Sequence, residues 1–287
     1  MKDGGFRQLP RVRDYLLDVT VYDQLEEVAT KHELPQERLE ELLDLTDAVI
    51  SGQLKVEQVP EFIEKAFSNS LVTTHKEIPE RFAKPWEKKT WPQYQKLFVK
   101  ESRISAGAKF YKENEALFTQ VKNRYKVDPF IICSIAGIES NYGSHHKGFT
   151  VFNSLYTQIH TMPKRAKWAS RELAAYLEYC YKDHVDPHSI EGSYAGAFGF
   201  GQFIPSSFVN FSVDFDEDGV RRPYDWPDVL GSIANYLVRN GYKQGSDDYS
   251  KSGSIYKSVR AYNHSDNYVM AVLELAEKIK KRATVGK

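Results

Sequence analysis

The chain has 287 residues, enough for one large domain or two modest ones. Its 39 basic residues balance its 39 acidic residues, so it lacks the positive charge that general nucleic-acid binding requires. No apolar run approaches the roughly 20 residues that span a bilayer, and the first residues lack the apolar stretch of a secretory leader. We therefore expect a protein with no nucleic-acid partner and no transmembrane segment.

Helical periodicity runs through almost the whole chain, and strand signals are few, so the predicted fold class is mainly α. Apolar residues predict helices over 36–50 and, starting at Pro60, over the segment that carries Phe62 and Phe67. A connector rich in Pro, Thr and charge follows at 68–92. We accordingly predict an N-terminal helical accessory region over 1–75 and a second domain over 76–287.

Longer helices are predicted in the second domain, 76–287. Ala106, Phe110, Leu117 and Val121 are spaced for one helical face, and residues 265–281 predict the last helix. Asp128 and Pro129 together form a helix start, because a capping side chain precedes a proline at the first helical position. The residues that follow, 130–138, are apolar nearly all round, which is typical of a buried helix.

Glu139 ends this apolar helix. Burial disfavours its anion, and so does the negative end of the helix dipole, so we expect its pKa to be raised. A carboxylic acid that is protonated near neutral pH can donate a proton to the leaving oxygen of a glycosidic bond. The alternative is a structural Glu that pairs with an Arg or with backbone amides.

No second acid adjoins Glu139 in sequence, although most glycosidases use two carboxylates. One carboxyl group is sufficient if the substrate supplies its own nucleophile. The 6-hydroxyl of N-acetylmuramic acid could attack its own anomeric carbon, with Glu139 acting first as the acid and then as the base. The product would be a 1,6-anhydro sugar.

A Gly-rich stretch at 192–208 lacks the Lys-Ser/Thr ending of a phosphate-binding loop. Its glycines permit tight turns and a close approach to a ligand, which makes Ser193 and Gln202 candidate binding groups. A loop packed for its own sake is the alternative.

An acidic loop at 214–228 predicts a structural Ca²⁺ site. Asp214, Asp216 and Asp218 alternate and Gly219 follows, as at the start of an EF-hand loop. Val220 would contribute its backbone carbonyl. Position 12 is Asp225 instead of the usual Glu, and Asp228 lies three residues further. The alternative is a solvated acidic turn. We expect no organic cofactor.

Five strings in order resemble one known family: GIESNYG (137–143), GSYAGAFGFGQFIPSS (192–207), DFDEDG (214–219), SIANYL (232–237) and YNHS (262–265). Over residues 84–280 the chain is similar to the membrane-bound lytic transglycosylase B family, glycoside hydrolase family 103. The resemblance implies a lysozyme-like helical core. It also implies non-hydrolytic cleavage of the bond between N-acetylmuramic acid and N-acetylglucosamine (MurNAc–GlcNAc) in peptidoglycan.

The resemblance assigns roles residue by residue. Glu139 matches the catalytic acid and base, and Asp228 is favoured over Asp225 as the ligand that closes the calcium loop. The implied substrate-binding residues are Tyr94, Ser193, Gln202, Tyr236, Tyr262, Asn263 and Tyr268. Family members carry a small β-domain between the fourth and fifth strings. Here only about 20 residues fill that gap, so we expect it to be absent or reduced to a loop.

Two other functions use the same features: a hydrolytic muramidase that employs Glu139 with water, and a non-catalytic peptidoglycan-binding protein. The partners implied are peptidoglycan glycan strands, and we expect a monomer. The implied location is the periplasm or cell envelope, provided that a leader has been removed.

Overall fold

The computed structural model describes residues 58–83, 89–144 and 148–285. The predicted helix over 36–50 lies outside the described residues. Within them the mainly α prediction is confirmed, and the elements are numbered here in chain order. The helices are α1 (Gln58–Ser68), α2 (Glu77–Phe82), α3 (Trp91–Phe98), α4 (Glu101–Glu113), α5 (Glu115–Tyr125), α6 (Pro129–Ser140), α7 (Val151–Thr161), α8 (Pro163–Lys182), α9 (Pro205–Phe211), α10 (Trp226–Arg239), α11 (Ser254–Tyr262) and α12 (Asp266–Thr284). The strands are β1 (Phe149–Thr150) and β2 (Glu191–Gly192).

The chain divides into two compact units. The first contains the described residues up to Ala83 together with Gly148–Ala197 and Ile204–Val209. In it, α7 and α8 pack along each other, and β1 pairs antiparallel with β2, Phe149 opposite Gly192. The Thr150 hydroxyl caps α7 by accepting a bond from the Asn153 N–H, and Pro163 occupies the first turn of α8. The predicted domain boundary after residue 75 stays a prediction.

Helix α6 is central to the second unit, which contains the described residues of Lys84–Lys147, Phe198–Phe203 and Asn210–Lys287. It packs against α4, α5, α10 and α12. The carboxylate of Asp128 caps it by accepting the Phe130 N–H at 2.8 Å, and Pro129 follows at the first helical position, as predicted. Every residue of α6 except Glu139 is buried. A helix with apolar side chains on all faces can be accommodated only in such a core.

The segment predicted as one helical face from Ala106 to Val121 is two helices. Helix α4 ends and α5 begins at Asn114, whose side-chain amide donates to the Phe110 carbonyl at 2.9 Å. A side-chain donor that satisfies a terminal carbonyl stabilises a helix end, so this asparagine interrupts the helix.

The short gap before the last sequence motif, YNHS, corresponds to the connection between α10 and α11. From Asn240 to Gly253 the chain forms turns and no strand. The expected absence of a β-domain at this position is confirmed. Across the described ranges 58–83, 89–144 and 148–285, no helix is both long and apolar enough to cross a membrane.

Candidate active site

The end of α6 is a tight left-handed turn. Asn141, Tyr142 and Gly143 have φ of 49°, 56° and 83°, which is strained for the two non-glycine residues. Two glycines make room for the Tyr142 ring: a Cβ at Gly107 or Gly137 would lie 2.3 or 2.4 Å from the Tyr142 hydroxyl oxygen. The turn directs the chain away from α6 immediately after Glu139.

Glu139 is half-buried and faces a cavity of about 380 Å³. The cavity is lined by Lys100, Ser102, Arg103, Ile138, Glu139 and Asn141. The hydroxyl of Tyr268 donates to Glu139 Oε1 at 2.5 Å. Among the described residues that line the cavity, Glu139 carries the only carboxyl group. The side chain therefore has one fixed phenol partner and an open side.

Burial raises the pKa of Glu139 to about 7, although the hydrogen bond from Tyr268 lowers it. Desolvation thus outweighs the stabilisation of the anion by the phenol. Near neutral pH a substantial fraction of Glu139 carries a proton. Such a carboxyl group can donate a proton and, once ionised, accept one.

The predicted substrate residues Tyr236, Tyr262 and Tyr268 form an aromatic cluster that reaches Glu139 through Tyr268. The Tyr262 ring lies parallel to the Tyr268 ring, with 6.5 Å between centroids. Tyr262 donates to the Gly201 carbonyl at 2.6 Å, and Tyr236 to the Ala261 carbonyl at 2.8 Å. Tyr94 is buried and stacks on Phe98 at 4.4 Å. The hydroxyls of Tyr236, Tyr262 and Tyr268 therefore make internal bonds that fix the site.

The other predicted binding groups are placed as follows. Gln202 has φ of 49° in the turn between Phe198 and Phe203, and its side-chain amide donates to the Gly199 carbonyl at 2.9 Å. Gln202 does not line the cavity beside Glu139. Asn263 is exposed directly after α11. In the first unit, the Ser193 hydroxyl accepts the Ala195 and Ala197 N–H groups at 3.2 and 3.1 Å.

The acidic loop brings three of its predicted ligands together. One carboxylate oxygen from each of Asp214, Asp216 and Asp228 lies within 4.8 Å of the others. Asp228 is buried, and its pKa is raised by burial and further by the charges of Asp216 and Asp214. Ca²⁺ prefers oxygen ligands, and three converging carboxylates provide such ligands.

The two other acidic candidates of the loop lie outside this cluster. The Asp218 carboxylate pairs with Arg222 and accepts the Val220 N–H at 3.0 Å. Asp225 precedes α10 and is not among the clustered carboxylates. The structure thus groups Asp228, and not Asp225, with Asp214 and Asp216.

Four residues that line the Glu139 cavity were missed from sequence: Lys100, Ser102, Arg103 and Asn141. Asn141 could have been found from its position directly after the apolar helix. The other three precede Glu139 by more than 35 residues and look like ordinary polar residues at a helix start.

A larger cavity of about 660 Å³ lies elsewhere in the second unit, with Trp91, Tyr249 and Tyr256 among its lining residues. Its carboxyl groups belong to Asp128, Glu274 and Glu277. Asp128 caps α6, whereas Glu274 and Glu277 pair with Lys278 and Lys281. Because these acids have structural partners, we assign the chemistry to the smaller cavity.

Comparison with known proteins identifies relatives of this chain. Membrane-bound lytic murein transglycosylase B of Escherichia coli is 34% identical over 155 residues, which cover 54% of this chain and 43% of that protein. The match thus spans less than half the length of that relative. The E. coli lytic transglycosylase SLT35 in complex with calcium has the same fold, with a TM-score of 0.70 at 22% identity over 85% of this chain and 93% of that chain.

A second solved structure has the same fold. SltB3 from Pseudomonas aeruginosa in complex with NAG-anhNAM-pentapeptide gives a TM-score of 0.70 at 24% identity, over 86% of this chain and 80% of that chain. The family described as "Transglycosylase SLT domain" matches residues 21–251, well over half of the sequence. Given this match and the position of Glu139, the chain belongs to the transglycosylase SLT domain family.

Proposed function

We propose that the protein is a peptidoglycan lytic transglycosylase that cleaves the β-1,4 bond between MurNAc and GlcNAc and leaves a 1,6-anhydro-MurNAc end. The observation that carries this proposal is a single carboxyl group, Glu139, with a pKa near neutrality in an open cavity. The family match and the NAG-anhNAM-pentapeptide bound to SltB3 support it.

In this mechanism Glu139 acts twice. Its carboxyl proton goes to the glycosidic oxygen as the bond to the muramoyl C1 breaks, so the GlcNAc leaves as an alcohol. The resulting carboxylate then accepts the proton of the muramoyl 6-hydroxyl, whose oxygen bonds to C1. Glu139 regains its proton, and no water is consumed. Tyr268 holds Oε1 in place through both steps.

A hydrolytic muramidase would use the same Glu139 with water as the nucleophile. Most inverting and retaining hydrolases use a second carboxylate, and the described residues that line the cavity supply no other carboxyl group. Mass spectrometry of digested peptidoglycan separates the two reactions. We expect anhydro-muramoyl ends, and products heavier by one water at every cut would overturn the proposal.

Removing the phenol beside Glu139 is expected to move the pH dependence in a defined direction. The Tyr268 hydrogen bond stabilises the carboxylate, so Tyr268→Phe raises the pKa of Glu139 above about 7. The alkaline limb of kcat/KM, where the acid form is lost, should shift to higher pH while the maximum falls several-fold. The measurement is a pH profile of anhydro-product release.

Tyr262→Phe is the matched control for Tyr268→Phe. It removes a neighbouring phenol hydroxyl that donates to Gly201 instead of Glu139. Its alkaline limb should stay in place. If both variants shift the limb equally, the hydrogen bond to Glu139 does not set the pKa.

We propose that Asp214, Asp216 and Asp228 hold a structural Ca²⁺. The cluster fits a cation, because three converging carboxylates repel one another without one. The ion would stabilise the loop against the start of α10, where Asp228 accepts the Phe215 and Arg222 N–H groups, both at 2.7 Å. The ion would take no part in the proposed reaction of Glu139. The calcium in the SLT35 structure supports the proposal.

Added Ca²⁺ is expected to raise the midpoint temperature of thermal unfolding. At a Ca²⁺ concentration 100 times the dissociation constant, binding adds about 2.7 kcal/mol to the free energy of unfolding. Asp216→Asn should abolish this response and, in chelator, leave the protein equal or slightly more stable, because one repelling charge is gone. Asp225→Asn is the control and should keep the response. The proposed ligand set would be wrong if Asp225→Asn abolished the stabilisation by Ca²⁺ and Asp216→Asn retained it.

We further propose that the protein acts in the periplasm or cell envelope on peptidoglycan strands, since the substrate lies there. The name of the E. coli relative, a membrane-bound enzyme, supports this location. A monomer and a separate accessory region over 1–75 stay predictions.

A further inference from the structure

Two cations share the cavity with Glu139. Lys100, at the residue before α4, and Arg103, in its first turn, both line the space that Glu139 faces. The family resemblance assigns neither residue a role. Lys100 is exposed, and neither cation has an ion pair with an acid in the described part of the chain.

Arg103 is held in a fixed position. Its Nη1 donates to the Leu97 and Phe98 carbonyls at 3.0 and 2.9 Å, and its guanidinium lies 5.5 Å from the centre of the Phe98 ring. Its Nε is buried and has no hydrogen-bond partner. Burial lowers the pKa of this guanidinium, which means that the charge is partly desolvated without a counterion. A desolvated cation gains strongly from an anionic partner.

Neither cation forms an ion pair with Glu139 in the described part of the chain. Burial raises the pKa of Glu139, and the hydrogen bond from Tyr268 lowers it. Burial lowers the pKa of Arg103, while Tyr142 and Tyr94 raise it. The positive charges therefore lie in the same cavity as the acid without pairing with it.

We propose that Lys100 and Arg103 bind a carboxylate carried by the muramoyl residue of the glycan and so select MurNAc over GlcNAc beside Glu139. This inference rests on the proposed function. The two sugars differ in the lactyl ether of MurNAc, which ends in a carboxyl group or, in an intact strand, continues into a peptide with its own carboxylates. Arg is suited to this group because its guanidinium stays charged and forms charge-assisted hydrogen bonds with carboxylates. Ser102 offers a hydroxyl at the same wall.

The experiment uses the full chain and three substrates. The first is glycan stripped of its peptides, with free lactyl carboxylates. The second is the same glycan after coupling of those carboxylates to methylamine, which makes them neutral. The third is intact peptidoglycan. The variants are Lys100→Met and Arg103→Lys, and Lys112→Met removes the same charge from an exposed site on α4 as a control. Thermal midpoints verify that each variant is folded.

We expect Lys100→Met and Arg103→Lys to raise KM for the stripped glycan about three- to tenfold, with kcat nearly unchanged. An increase of this size corresponds to the loss of one charge-assisted hydrogen bond at a partly exposed site. The neutral glycan should show no difference between variant and wild type. An effect confined to intact peptidoglycan would assign the carboxylate to the peptide instead of the lactyl group.

Equal losses on charged and neutral glycans, or an equal effect of Lys112→Met, would overturn the inference. Failure of the proposed function would look different, because the wild type would then release no anhydro product from any of the three substrates.

Discussion

Glu139→Gln is expected to lower the rate of glycan cleavage by about 10²–10⁴-fold, the range that a positioned general acid and base contributes. Glutamine keeps the shape of the side chain and can still contact Tyr268, but it can neither give the proton to the glycosidic oxygen nor take one from the 6-hydroxyl. The measurement is release of anhydro-muramoyl products from purified peptidoglycan. Unchanged release would remove Glu139 from the mechanism and would favour a binding protein.

The same variant should be more stable than the wild type at alkaline pH. Burial raises the pKa of Glu139 to about 7 from an ordinary value of 4.5, so the native state binds the proton more tightly than the unfolded chain does. Stability therefore falls as pH rises from about 4.5 to 7, and above that range the native state carries the full penalty of the anion.

Replacing Glu139 by neutral glutamine removes this penalty. We expect the free energy of unfolding to rise by about 1–2 kcal/mol at pH 8 and to change very little at pH 4. This gain is in the lower part of the range that the pKa shift allows, because Glu139 retains some exposure. Chemical denaturation at both pH values measures it. A variant that loses activity because it misfolds would instead lose stability at both.

Gly137→Ala is expected to destabilise the second unit by about 1–3 kcal/mol and to reduce activity sharply. Helix propensity alone favours alanine by about 1 kcal/mol. The clash outweighs it, because the new methyl group would lie 2.4 Å from the Tyr142 hydroxyl oxygen and 2.5 Å from its ring carbon Cζ. The Tyr142 ring is confined by Phe110 and by a hydrogen bond to the Arg103 carbonyl. Displacing it would move the turn that follows Glu139.

A double-mutant cycle with Tyr142→Ala tests this mechanism. Gly137→Ala should cost less when the ring is absent, with a coupling energy of at least about 1 kcal/mol. Additive effects would show that the ring is not what requires glycine at this position. Urea denaturation of the four proteins provides the free energies.

The sequence was sufficient to locate the proposed acid and insufficient to predict its surroundings. Asp128, Pro129 and the apolar run predicted a buried helix that ends at Glu139, because capping and periodicity are local properties. The phenol partner Tyr268 lies 129 residues away, and no local pattern shows which of many tyrosines donates to Glu139. Arg103 was missed for the same reason.

Helix ends and shared ligands were harder to predict. Asn114 divides an apparent single helix, because its amide bonds to the Phe110 carbonyl, and hydrophobic spacing does not reveal such a bond. In the acidic loop the spacing indicated six candidates. The family resemblance already favoured Asp228 over Asp225, and the structure adds that Asp228 converges with Asp214 and Asp216 while Asp218 pairs with Arg222.

The burial of every residue of α6 except Glu139 has a consequence for how this protein can diversify. Glu139, the proposed acid, is carried by a helix whose other residues all lie in the core. Even the irregular segment from Asn240 to Gly253 contacts the start of that helix, because the Asp128 N–H donates to the Tyr242 hydroxyl at 3.2 Å. A change to almost any residue of α6 therefore repacks the core before it alters the acid, so evolution has little freedom to vary this helix.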